Sequence, residues 1–164
     1  MKTALLIIGV VAITLSLNML VATWLSSYHN LEFPSLGTLR IINAETYGGD
    51  IIIKNGVQYV DWGVVEVGTS TNRSFFTRSR SNIPTTFTLE ASNWTCTDQN
   101  GQKALPPNGT YMTLTWNYTN VPIDPEQVIS VTLTLNVSSD TAFRDYLITN
   151  HITQFSFDIR IYPT

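Results

Sequence analysis

The chain has 164 residues, a formal charge of −3 and only 13% charged residues. Its basic residues are scattered, and Lys2, Lys54 and Lys103 are the only lysines. No stripe of Lys and Arg offers a phosphate footprint, which excludes nucleic acid as a partner class. The length suffices for a single domain with a real core beyond the first 25 residues, and a surface polar through Ser, Thr and Asn suits an exported protein.

Ala4–Leu25 contains no charged side chain. At 1.5 Å per residue it reaches about 33 Å, enough for the hydrocarbon core of a bilayer. Trp24 stands where an interfacial aromatic would stand. Lys2 and the terminal amine precede the span, and after it residues 26–37 carry only Glu32 and His29 as titratable groups apart from Tyr28. The positive-inside rule then places the N-terminus in the cytoplasm and the remainder outside a cell membrane as a single-pass protein. Residues 1–25 are read as a signal-anchor. The alternative is a signal peptide whose removal would leave a secreted protein, but the apolar run exceeds the usual 7–15 residues and Val21-Ala22-Thr23 is a mediocre cleavage site. A third alternative is a pilin-type leader, since Met1-Lys2-Thr3-Ala4 loosely resembles the basic leader of archaeal type IV pilins.

Residues 26–37 have turn formers and no period, and read as a stalk; the domain is placed at 38–164. Asn55-Gly56 between the apolar runs 51–53 and 57–60 is a hairpin signal, because both central residues of a type I′ turn need positive φ. Thr85, Phe87, Leu89 and Ala91 alternate with polar neighbours. So do Met112, Leu114, Trp116 and Tyr118, then Val131, Leu133, Leu135 and Val137, then Phe155, Phe157, Ile159 and Ile161. Period two repeated this often predicts antiparallel strands with one buried face each. The expectation is an all-β, antiparallel two-sheet sandwich of about 7–9 strands. Its core candidates are Trp62, Phe87, Leu89, Leu114, Trp116, Leu133, Leu135, Phe155, Phe157 and Ile159. Ser139–Asn150 breaks the pattern: Phe143, Tyr146 and Leu147 recur at helical spacing behind Ser139 or Asp140 as N-cap, which predicts a short crossover helix.

The run Asp61-Trp62-Gly63-Val64-Val65-Glu66-Val67-Gly68, the Asn82-Ile83-Pro84 between strands, and Ile123-Asp124-Pro125-Glu126-Gln127 before VISVTLTLNV together resemble the immunoglobulin-like sandwiches of the ASH, major sperm protein and PapD kind. They are also similar to small archaeal surface proteins with an N-terminal span. The resemblance covers about residues 38–163 and implies fold, not activity. Gly63 and Gly68 suit a bulge and a tight turn.

No constellation of catalytic residues stands out, and no cofactor is expected. His29 and His151 have no metal-set partners at suitable spacing. A cupredoxin copper site would need His close behind Cys, whereas His151 lies far beyond Cys96. There is no G-x-S-x-G and no C-x-x-C, so an exported hydrolase has no residue set behind it. Asp124 with Glu126, and Asp140 with Asp145, read as a turn and a cap. Arg78 and Arg80 share one face of a strand beside Phe76, which fits either an anionic sugar or an edge that resists aggregation. Cys96, the only cysteine, is a buried inert thiol or the donor of an intermolecular disulfide.

Asn72, Asn93, Asn108, Asn117 and Asn136 each head an N-x-[S/T] sequon. Asn117 and Asn136 are expected on polar strand faces, Asn72 and Asn108 in turns. Two functional classes follow. One is a non-catalytic, structural or adhesive module of the cell envelope, held by its N-terminal helix and docked to a surface-layer or filament partner; accessory proteins of the archaellum share this architecture of one span and one outer sandwich. The other is a filament subunit, homo-oligomeric through its apolar helix or through donation of the last strand, FSFDIRIY.

Overall fold

The computed structural model describes residues 13–21, 31–104, 106 and 111–164. The chain divides into two units, Met1–Leu31 and Glu32–Thr164. In the first, residues 13–21 are helical (α1) and expose Ile13, Leu15, Leu17 and Leu20. Among the described residues no helix is long and apolar enough to cross a membrane. Most of the span expected over residues 1–25, with Trp24, and the stalk residues 26–30, with His29, lie outside the described residues.

The second unit is mostly β. Its strands are β1 (Glu32–Ile41), β2 (Ala44–Tyr47), β3 (Ile51–Lys54), β4 (Val57–Glu66), β5 (Ser70–Ser79), β6 (Phe87–Asp98), β7 (Lys103–Ala104), β8 (Met112–Trp116), β9 (Val128–Val137) and β10 (Ile152–Pro163), with helix α2 (Thr141–Thr149) before the last. They form a six-stranded sheet in the order β3-β4-β1-β10-β6-β7 and a four-stranded sheet in the order β2-β5-β9-β8. The inner faces of the two sheets make the core of a β-sandwich.

Local chemistry places the elements as the residues suggest. Asn55 (φ 53°) and Gly56 (φ 76°) close the β3–β4 hairpin, as a type I′ turn requires. In α2, Asp140 is the N-cap: its carboxylate accepts from the backbone N–H of Ala142 at 2.7 Å and of Phe143 at 3.3 Å. Phe143 and Leu147 form its buried side. Gly63 (φ 66°) sits at a bulge, where the register with β1 skips Trp62 between Ser35↔Gly63 and Leu36↔Asp61. That bulge lets Val60, Trp62 and Val65 all reach the core, where each is fully buried.

Four expectations are corrected. Residues 32–37 are strand, not stalk: β1 turns Phe33, Ser35, Gly37 and Leu39 inward. The alternation is hidden in sequence because two inward residues are small. A Cβ on Gly37 would lie 2.8 Å from Ile159 Cδ1 and 3.0 Å from Trp62 Nε1, so glycine makes room for the indole. The pairing is not wholly antiparallel, since β1 and β10 run parallel from Ser35↔Phe155 to Ile41↔Ile161. The described strands number ten, because the short β2, β3 and β7 join the longer ones. Finally, β10 is an inner strand between β1 and β6, so FSFDIRIY is already paired on both sides.

Of the core candidates, Trp62, Phe87, Leu133, Leu135, Phe155, Phe157 and Ile159 are buried. Burial of each large apolar side chain contributes roughly 1.5–3 kcal/mol. Leu89, Leu114 and Trp116 are only half-buried. β8 pairs with β9 alone, and β6 near Leu89 pairs with β10 alone, so these side chains lack a lateral neighbour on one flank. Among the described residues Trp62 is the fully buried tryptophan, and Trp94, half-buried like Trp116, extends its aromatic cluster. The Trp94 ring stacks on Phe157 at 4.0 Å, with Trp62 on Phe157 at 6.1 Å.

Candidate functional site

The outward residues of the four-stranded sheet form one surface. Because Phe75, Val131, Leu133, Leu135 and Val137 point into the core, their strand neighbours point out. Across the sheet the register sets Ser70 beside Asn136 beside Thr113, and Asn72 beside Thr134 beside Thr115. Ser74 Oγ lies 2.9 Å from Thr132 Oγ1, and Ser70 Oγ donates to Asn136 Oδ1 at 2.6 Å. The middle of this face is therefore hydroxyl and amide with no charge, a surface that satisfies part of its own hydrogen bonding side chain to side chain.

Charge collects at the end of the face formed by β2. Arg78 lies over the Tyr47 ring at 5.7 Å, and that ring stacks on Phe76 at 6.0 Å. Arg80 pairs with Glu45 and, at 2.9 Å, with Glu126. Hydrogen bonds to Glu45 and then Glu126 raise the Arg80 pKa further above its ordinary value. Arg78 and Arg80 therefore do not act as one anion-binding pair: the first packs on an aromatic and the second clamps β2 to the turn at Glu126. Both pairs with Arg80 are solvent-exposed, so they add little stability.

A second polar cleft of about 530 Å³ is lined by Asp50, Asp61 and Arg73. Here the side chains are spent on backbone. Arg73 donates to the carbonyls of Asp61 and Trp62, both at 2.6 Å, and of Asn72 at 2.8 Å. Asp50 accepts from Ser74 N–H at 2.8 Å and Asp61 from Gly63 N–H at 2.9 Å. The cleft beside Asn117 and Tyr118 measures about 210 Å³, below the usual range of small-molecule sites. Among the described residues no group of three or more His, Cys, Asp or Glu is placed to hold a metal ion. His151 is exposed, with φ 50°, immediately before β10.

Cys96 lies opposite Phe155 and is fully buried. Burial pushes its thiol up to about 11, which keeps it protonated and unreactive at neutral pH. Tyr146 is pushed up too, first by burial and then by the charge that Cys96 would carry. A disulfide to another molecule would require the fold to open.

Four sequon asparagines are described; Asn108 lies outside the described residues. Asn72 is in β5 rather than in a turn, and it is exposed. Asn117 is exposed just past the end of β8, and Asn136 is half-buried on β9. Asn93 is exposed on the other sheet at φ 54°, inside the irregular stretch of the β6–β10 register. Its signal in sequence was the residue type, since Asn enters positive φ several-fold more often than most residues. Compared with known proteins, the chain matches no family model and no curated protein.

Proposed function

We propose that the protein is a non-catalytic module of the cell envelope, held by an N-terminal apolar segment and presenting its sandwich outside the membrane to a surface-layer or appendage partner. The observation that carries this reading is the uncharged hydroxyl and amide face of the four-stranded sheet, a broad surface built from β5, β8 and β9. The charged side chains nearby are engaged with backbone, with one another or, for Arg78, with the Tyr47 ring, which leaves surface complementarity as the means of recognition. The first 25 residues support the membrane part. Ala4–Leu25 has no charge, and the leucine and isoleucine side chains of α1 are exposed, an arrangement that water disfavours and lipid accommodates.

The finer, immunoglobulin-like reading draws on topology. The chain crosses from β4 in one sheet to β5 in the other and back to β6, and its first strand pairs in parallel with its last. Fractionation tests the functional reading. The protein is expected in the envelope fraction, retained through a high-salt wash and released by detergent, with in-cell cross-links from the sandwich to an envelope protein. Recovery in the soluble fraction of lysed cells, without such cross-links, would contradict it.

A further inference from the structure

The sequons do not stand in equivalent places, and the differences sort them. N-glycosylation joins the asparagine Nδ2 to the anomeric carbon of an oligosaccharide. The donor is an oligosaccharide carried on a lipid phosphate or diphosphate. As the C–N bond forms, the C–O bond to the phosphate breaks, the lipid phosphate leaves and one amide proton goes to a base of the transferase. The acceptor needs a reachable Nδ2 and a short segment able to leave its ladder.

Asn117 meets both needs. Its backbone N–H donates to Thr132 O at 3.1 Å, and its Oδ1 accepts from Thr132 N–H at 2.8 Å. The amide is thereby turned with its oxygen toward the sheet, and Nδ2 is the end left without a bond among the described residues. The sequon continues through Tyr118 and exposed Thr119 into a stretch without regular structure, at the end of an edge strand. Asn72 is exposed, and no side-chain hydrogen bond holds it among the described residues. Asn72 itself pairs with β9 on one side only; on the other side the strand is next held at Ser74, whose N–H and carbonyl bond Asp50, and β2 joins at Phe76. Edge positions open locally at less cost than interior ones.

The other two fail one need each. Asn136 is half-buried on β9, paired with Ser70 on one side and Thr113 on the other. Asn93 is exposed, but its Nδ2 donates to Asp158 Oδ2 at 2.8 Å, so the reacting nitrogen is held by a carboxylate. We infer that Asn117 and Asn72 carry N-linked glycan on the outer face of the four-stranded sheet, while Asn93 and Asn136 stay bare. This rests on the envelope reading, because the transferase acts on the outer side of the membrane.

The test is glycopeptide mapping by mass spectrometry of the full chain purified from its own cells, with cell fractionation run in parallel. Glycan on the peptides containing Asn117 and Asn72, and unmodified Asn93 and Asn136, is the expected result. Thr119→Ala is expected to remove one glycan mass without touching the Asn117–Thr132 hydrogen bonds, Asn72→Gln to remove another, and Asn93→Gln to leave the mass of the attached glycan unchanged. An envelope-held protein with bare Asn117, or with glycan on Asn93 or Asn136 at the level of Asn117, would overturn the assignment alone. A soluble cytoplasmic protein without glycan would overturn both the assignment and the envelope reading.

Discussion

β10 and β8 carry the same signature in sequence and occupy opposite situations in the fold. Phe155, Phe157, Ile159 and Ile161 alternate with polar residues, as Met112, Leu114 and Trp116 do. Yet β10 has β1 on one side and β6 on the other, while β8 has only β9. All four inward residues of β10 are buried, whereas Leu114 and Trp116 keep part of their surface in water. Period two tells which face of a strand is apolar; it says nothing about how many neighbours flank the strand. The consequence reaches function, because the strand that the sequence offers as a donor to another copy is locked inside its own sheet.

The contrast can be broken most sharply at Phe157. Phe157→Ala removes the ring between Trp94 and Trp62 and is expected to cost about 3–5 kcal/mol in denaturant unfolding, with a change in tryptophan emission. A cost below about 1 kcal/mol would mean that the centre of the core lies elsewhere.

Cys96, opposite Phe155, tests burial in the same sheet through pH. Its thiol stays protonated in the folded chain up to about 11, whereas an ordinary thiol ionises near 9. Between those values the unfolded chain loses its proton first, so stability falls as pH rises through this window, by roughly 2–3 kcal/mol in total. Cys96→Ala is expected to flatten that part of the profile relative to the parent protein. Parallel profiles for the two would contradict the burial.

On the edge strand the expected effect is smaller. Leu114→Ala should cost about 1–2 kcal/mol, below the usual range for a fully buried leucine, and a value equal to that of Phe157→Ala would erase the contrast between β8 and β10. Smaller still is the cap on the connection into β10. Asp140→Ala removes two hydrogen bonds to α2 and is expected to cost about 1 kcal/mol, while Asp140→Asn should recover most of it.

Much of the fold was legible because it rested on local chemistry. Asn55-Gly56 announced its hairpin, Asp140 its helix, Gly63 its bulge, and the alternating runs their faces. What stayed hidden depended on partners distant in sequence. β1 looked like a stalk because Ser35 and Gly37 face inward, and Gly37 is small for the sake of Trp62, a residue on another strand. Trp116 looked as central as Trp62, and only lateral pairing separates them. The same holds for the candidate site. Sequons can be counted in sequence, but the difference between Asn117, which holds the sheet through its oxygen, and Asn93, whose nitrogen is held by Asp158, exists only once β8 meets β9 and β6 meets β10. Arg78 and Arg80 looked like a pair because they are two residues apart, and the fold gives them different partners.

The three lysines provide the most direct test of the central claim that the sandwich is displayed outside a membrane. Lys54 and Lys103 are exposed on the domain, and Lys2 precedes the apolar run. Intact cells treated with a membrane-impermeant amine reagent, then analysed by mass spectrometry, are expected to yield label on Lys54 and Lys103 and none on Lys2. Label on Lys54 and Lys103 only after the cells are lysed would contradict the account.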